Sequence, residues 1–103
     1  MYLIRETMYC KPGKVRPMVE KFIAMSKVNE KLGMPRMRVL TDFCAERYWT
    51  VVAEFEAPSL KAFEDMMSPQ QMPPDAQRKF EEIMSGYHDL VDHGKREVFK
   101  IEA

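Results

Sequence analysis

The sequence predicts an α+β fold in which helices cover one face of a four-stranded antiparallel sheet. Four segments carry the β-branched and aromatic content of strands, and two regions repeat apolar residues at helical spacing. Their order along the chain is β-α-β-β-α-β. A length of 103 residues is typical of one domain, so residues 1–103 are expected to form a single domain.

The first half of the chain begins with a strand over residues 2–10. Pro12 and Gly13 end it, because proline cannot donate to a strand ladder and glycine turns freely. Apolar residues at helical spacing then predict an amphipathic helix over residues 14–31, with a stop at Gly33.

Two more strands are predicted over residues 36–44 and 47–56. The link between them is so short that they should form an antiparallel hairpin. A short amphipathic helix follows over residues 59–67, with Ser59 as its N-cap.

The last third contains a proline-rich segment, a helix and a strand. Residues 68–74 are interpreted as a connector, with a cover over a pocket mouth as the alternative. The helix is predicted over residues 75–92, capped by Asp75 and ended by Gly94, and the strand follows over residues 95–103. This order is the ferredoxin-like split βαβ motif, whose right-handed crossovers place both helical regions on the same face of the sheet.

The other face of the sheet needs a cover of its own. The strand at 47–56 is apolar on one side, whereas its second side mixes apolar, polar and acidic residues, and the strand at 2–10 is mixed in the same way. Two helices cover one face only, and a bare second face would expose an unusually large apolar patch. The sequence therefore predicts a homodimer paired sheet against sheet, although it leaves open which side of each strand faces inward.

Composition excludes several classes of function. The 16 basic and 16 acidic residues cancel, which argues against a nucleic-acid partner. No apolar run approaches the length of a membrane span, and no leader segment is recognised.

Cys10 and Cys44 resemble small buried hydrophobic residues of a reducing compartment, so a cytoplasmic location is expected. The two histidines lack the spacing of metal ligands, and no metal or cofactor is predicted.

Three stretches carry a family resemblance. YCKPGKVRPMVEKF and WTVVAEFEAPSLKAFEDM resemble strand-to-helix passages of the dimeric α/β-barrel superfamily, and YHDLVDHGKREVFKIE is similar to the tail of its NIPSNAP-like members. The resemblance implies a ferredoxin-like protomer that pairs into a dimeric α/β barrel. The superfamily includes antibiotic-biosynthesis-type monooxygenases, haem-degrading enzymes, small isomerases and members without known activity. The strand at 2–10 lacks the asparagine of the haem-degrading enzymes.

The monooxygenase resemblance implies a cofactor-independent reaction on an aromatic or phenolic substrate. His88 would take the proton, and the predicted catalytic set is His88, Arg38 and Tyr48. The alternative for His88 is a structural pair with Asp92, one helical turn later. His93 is interpreted as a cation at the helix end.

A ligand site is also predicted, from the mixed strand faces and the methionines. Arginines on these faces would either contact a ligand or pair with acidic residues on neighbouring strands. The ten methionines either fill the core or form a pliable pocket wall. The predicted ligand-binding residues are Arg5, Tyr9, Trp49, Thr50, Glu54 and Met84.

The predicted function is that of an uncharacterised small homodimeric protein with a small-molecule pocket between sheet and helices. The ligand would be apolar or aromatic. Two alternatives stand beside it: the monooxygenase-like enzyme, and a dimerisation or ligand-binding module without catalysis. Cross-strand ion pairs that fill the barrel would favour the module.

Overall fold

A computed structural model of the chain describes residues 1–68 and 72–103. Its strands form one antiparallel sheet in the order β2-β3-β1-β4, which confirms the predicted ferredoxin-like α+β fold. In chain order the elements are β1 (Tyr2–Cys10), α1 (Val15–Lys31), β2 (Arg38–Thr41), β3 (Thr50–Ala57), α2 (Leu60–Met67), α3 (Pro74–Met84), a 3-10 turn (Tyr87–Asp89) and β4 (Val91–Lys100).

The core lies between the sheet and α1. Ile4, Cys10 and Val51 point from the sheet to the helices, and Met18 of α1 meets this side; all four are fully buried. The side of β1 that carries Ile4 and Cys10 therefore faces the helices, and the side that carries Arg5 and Tyr9 forms the open face of the sheet. Cys44, which was predicted to be buried, is exposed in the β2–β3 link.

Local sequence signals set the beginnings of two helices as predicted. Pro17 lies in the first turn of α1, where a missing backbone N–H removes no helical hydrogen bond. The Ser59 hydroxyl accepts a hydrogen bond of 3.1 Å from the backbone N–H of Ala62 and so caps α2. Asp75 is not the cap of α3, because Pro73 holds that position and Asp75 lies inside the first turn.

The helix predicted over residues 75–92 is wrong in its second half. It ends at Met84, and Gly86 adopts the left-handed conformation with φ of 79°, which turns the chain toward β4. His93 and Gly94 lie inside β4, opposite Tyr9 and Met8 of β1. His93 therefore is not at a helix end, and Gly94 is not a helix terminator.

The hairpin link is longer than predicted because β2 stops at Thr41 and β3 starts at Thr50. Asp42 closes the link, since its Oδ1 accepts a hydrogen bond of 2.9 Å from the backbone N–H of Thr50. Of the predicted connector at 68–74, residues 69–71 lie outside the described residues, and Pro74 already belongs to α3. Within the described residues, no helix has the length and hydrophobicity needed to cross a membrane.

Candidate functional site

A cavity of about 530 Å³ lies between the sheet and the helices. Eight of the ten methionines line it, and they come from β1, all three helices, the α1–β2 link and the residues just before α3. We call it the methionine cavity. Its methionines are Met8, Met25, Met34, Met37, Met66, Met67, Met72 and Met84.

Aromatic side chains complete the apolar wall. Phe22 of α1, Phe55 of β3, Phe80 of α3 and Tyr87 of the 3-10 turn line the same cavity. Thioether side chains are flexible and polarisable, and they make favourable contacts with aromatic rings. A wall of this composition can therefore adjust its shape around apolar molecules of different outline.

One ion pair lies on the wall of the methionine cavity. Glu6 of β1 and Arg96 of β4 are opposite one another in the strand register, and Arg96 Nε donates a hydrogen bond to Glu6 Oε1. The Arg96 guanidinium also lies over the Phe63 ring, 5.7 Å from its centroid. Neither residue belongs to the predicted site. One signal in the sequence could have identified Glu6: it is an acidic residue on the otherwise apolar side of β1, between Ile4 and Met8.

The open face of the sheet carries a second polar group of residues. Glu54 is only 5% exposed, and its two oxygens accept hydrogen bonds from Arg5 Nε at 2.6 Å and Arg38 Nη2 at 2.7 Å. The alternative in which the strand arginines pair with acidic neighbours is therefore confirmed for both arginines. These three side chains satisfy one another across β1, β3 and β2.

An aromatic group lies at one end of the open face. The Tyr9 and His93 rings are 4.7 Å apart, and the Arg47 guanidinium lies 5.3 Å from the centroid of the Tyr9 ring. A hydrogen bond with Tyr9, supported by the charge of Glu97, raises the pKa of Lys95. Tyr9 therefore sits beside cationic groups from two elements.

The β2–β3 link exposes aromatic side chains beside this group. Phe43 and Tyr48 are almost fully exposed, and Trp49 is partly exposed. Trp49 has a φ of 63°, a left-handed conformation that costs energy for a residue other than glycine. The backbone holds it there, because the Trp49 carbonyl accepts a hydrogen bond of 2.8 Å from the N–H of Cys10.

The three predicted catalytic residues lie on three separate segments. Arg38 is on the open face and pairs with Glu54, whereas Tyr48 extends from the β2–β3 link. His88 lies in the 3-10 turn, exposed, with its ring centroid 4.0 Å from that of Tyr87. None of the three belongs to the described wall of the methionine cavity.

The structural alternative for His88, a pair with Asp92, is wrong. Asp92, its proposed partner, instead forms an ion pair of 2.5 Å with Arg47. The cause is the early end of α3, which places residues 88 and 92 in a 3-10 turn and a strand instead of on one helix.

The structure divides the predicted ligand-binding residues between the two faces of the sheet. Arg5, Tyr9, Thr50 and Glu54 line a shallow depression on the open face, and Trp49 lies at the end of the adjoining link. Met84 alone of the set lines the methionine cavity, on the opposite side. Among the described residues, no cluster of three or more His, Cys, Asp or Glu side chains could hold a metal ion.

Comparison with solved structures shows the fold. An uncharacterized NIPSNAP domain protein from Burkholderia xenovorans superposes with a TM-score of 0.71 at 16% identity, over 100% of this chain and 96% of that chain. A NIPSNAP-like domain protein from the same organism gives a TM-score of 0.75 at 11% identity, over 99% and 85% of the two chains.

An antibiotic biosynthesis monooxygenase-like protein from Deinococcus radiodurans gives a TM-score of 0.65 at 8% identity, over 100% of this chain and 94% of that chain. No protein-family model and no curated protein matches the sequence. The resemblance to NIPSNAP-like and monooxygenase-like proteins is therefore confirmed at the level of the fold.

Proposed function

We propose that this protein binds a small apolar or aromatic molecule in the methionine cavity. The observation that carries the proposal is the convergence of eight of the ten methionines on one cavity, from elements scattered along the chain. A volume of about 530 Å³ lies in the range of small-molecule sites, which are mostly apolar with a few placed polar groups. The Glu6–Arg96 pair supplies such polar groups.

Binding without catalysis fits the described residues better than the monooxygenase alternative. On the open face, the arginines that could stabilise a phenolate already pair with Glu54. His88 and Tyr48, the other catalytic candidates, are both exposed to solvent. The monooxygenase alternative has the fold likeness in its favour, and a fold alone does not determine a reaction.

A fluorescent probe and two tryptophan variants test the binding site. N-phenyl-1-naphthylamine is neutral, and its emission rises in apolar surroundings. M66W enlarges a half-buried side chain on the cavity wall, whereas L40W enlarges an exposed side chain on the open face. We expect M66W to weaken probe binding by about tenfold or more, and L40W to change it by less than about twofold.

Two outcomes would contradict the proposal. One is a wild-type protein that leaves the probe fluorescence unchanged. The other is the reverse pattern, in which L40W blocks the probe and M66W does not, because that pattern would move the site to the open face. Circular dichroism of both variants checks that each is folded.

We also propose that the protein is a homodimer paired through the open faces of two sheets. Leu40 and Phe99 are exposed on this face, and the exposed Phe43 and Tyr48 adjoin it. An apolar face of this kind favours a self-complementary, two-fold contact. Native mass spectrometry should give about 24 kDa, twice the 12.1 kDa of one chain, and L40R should shift the population toward one chain. A wild-type protein at the single-chain mass would overturn the proposal of a homodimer.

A further inference from the structure

We infer that the ligand of the methionine cavity is an amphipathic carboxylate, a molecule with a hydrocarbon body and one acidic head group held by Arg96. The inference rests on the proposed function, because it needs the cavity to be a binding site. It adds the charge and chemistry of the head group, which the apolar wall alone does not define.

The first step is that Arg96 is the one cation among the described residues of the cavity wall. The other charged side chains there are Glu6 and Glu81. Glu6 is bound to Arg96, while Glu81 is exposed on α3. Among the described wall residues, an acidic head group therefore has one cationic partner, and that partner lies on the strand next to β1.

The second step concerns which nitrogens of Arg96 are occupied. Glu6 takes the hydrogen bond of Nε, and within the described residues the two terminal nitrogens have no hydrogen-bond partner. Two terminal nitrogens form the planar fork that binds a carboxylate through two parallel hydrogen bonds. Glu6 and the Phe63 ring hold the guanidinium in place, so little side-chain freedom is lost when a carboxylate binds.

The third step is the position of this fork relative to water. The Arg96 side chain is 49% exposed, whereas the Glu6 side chain is 18% exposed. About half of the Arg96 side chain therefore remains accessible to solvent, at the edge of an apolar cavity. An amphipathic ligand would place its hydrocarbon body among the methionines and leave its head group at this partly hydrated edge, where a charge costs little to keep.

Three ligands with the same ten-carbon chain test the head group. Decanoate is anionic, decanamide is neutral and decylamine is cationic at pH 7.5, and each competes with bound N-phenyl-1-naphthylamine. We expect decanoate to bind about tenfold more tightly than decanamide, as for one charge-assisted contact, and decylamine to bind most weakly. In R96Q the preference of decanoate over decanamide should fall to about twofold or less. R78Q is the matched control, because Arg78 is exposed on α3, pairs with Asp75 and is not on the cavity wall.

The outcomes separate this inference from the proposed function. If the probe does not bind, the proposed function is contradicted, and the inference about the head group is contradicted too because it depends on that function. If the probe binds and wild type prefers decanamide or decylamine, or treats all three alike, the cavity stands and the carboxylate is excluded. A preference for decanoate that persists at full size in a folded R96Q variant would also overturn the inference, because the head group would then not be held by Arg96. Even if R96Q does not fold, the wild-type ranking tests whether the cavity prefers an acidic head group.

Discussion

Glu54 shows how strongly one residue can organise the open face. Among the described residues it is the one acidic or basic residue that is buried, and it binds arginines from the strands on both sides. The gain comes from two charge-assisted hydrogen bonds in a partly desolvated setting, offset by the cost of removing the carboxylate from water.

Replacing Glu54 with glutamine should therefore destabilise the protein. The amide keeps the shape of the side chain but loses the charge that balances Arg5 and Arg38. We expect a loss of roughly 2 kcal/mol in the free energy of unfolding, measured by urea titration. E56Q is the control, since Glu56 is exposed on the same strand, and its effect should stay within about 0.5 kcal/mol. Equal effects of the two variants would show that the pairing with arginine contributes little.

The two cysteines should differ sharply in reactivity. Burial raises the pKa of the Cys10 thiol, which lowers the thiolate fraction at any given pH below that pKa, and burial also blocks reagents. Cys44 is exposed in the β2–β3 link. Iodoacetamide at pH 8 should modify one site rapidly in the native protein and both sites in urea, as read by intact mass. The C44S variant should lose the fast site, and rapid labelling that survives in C44S would contradict the burial of Cys10.

At the scale of elements, the sequence predicts helix and strand positions correctly where local signals agree with tertiary packing. The first turn of α1 and the cap of α2 follow from Pro17 and Ser59, whose effects are local. The apolar spacing of α3 predicts an α-helix beyond Met84, where α3 has already ended, because Tyr87, Leu90 and Val91 continue the helical spacing although they lie outside the helix. From Val91 onward the chain instead pairs with β1 as strand β4. The apolar spacing in one sequence does not show that this strand pairing is more favourable there than a longer helix.

Gly94 of β4 lies close against β1, with no room for a side chain. A Cβ atom at this position would lie 2.8 Å from Met8 Sδ and 3.0 Å from the Thr7 carbonyl oxygen. We expect G94A to cost about 1–3 kcal/mol of stability by overpacking and to move Met8, which lines the methionine cavity. K100A, at an exposed residue of the same strand, should stay within about 0.5 kcal/mol in the same urea titration. A G94A protein as stable as K100A would mean that the strands separate there at little cost.

At the scale of the whole molecule, the candidate site was only partly predictable. The unusual number of methionines in the sequence indicates either a core or a pocket wall, and the periodicity places several of them inward. Their convergence on one cavity depends on how β1, three helices and a link fold against each other, which spacing along the chain does not define. Four of the predicted ligand-binding residues lie on the open face of the sheet, whereas the methionine cavity lies on the other face; the four are Arg5, Tyr9, Thr50 and Glu54.

The most direct test of ligand binding in the methionine cavity is NMR of protein labelled with ¹³C at the methionine methyl groups. Eight of the ten methyl groups belong to cavity residues. Met1 is exposed at the start of the chain, and Met18 is buried in the core that packs against the cavity wall. Titration with decanamide should shift the cavity methyl resonances and leave that of Met1 in place. If all ten resonances stay unchanged at saturating ligand, or only Met1 responds, the cavity is not a binding site.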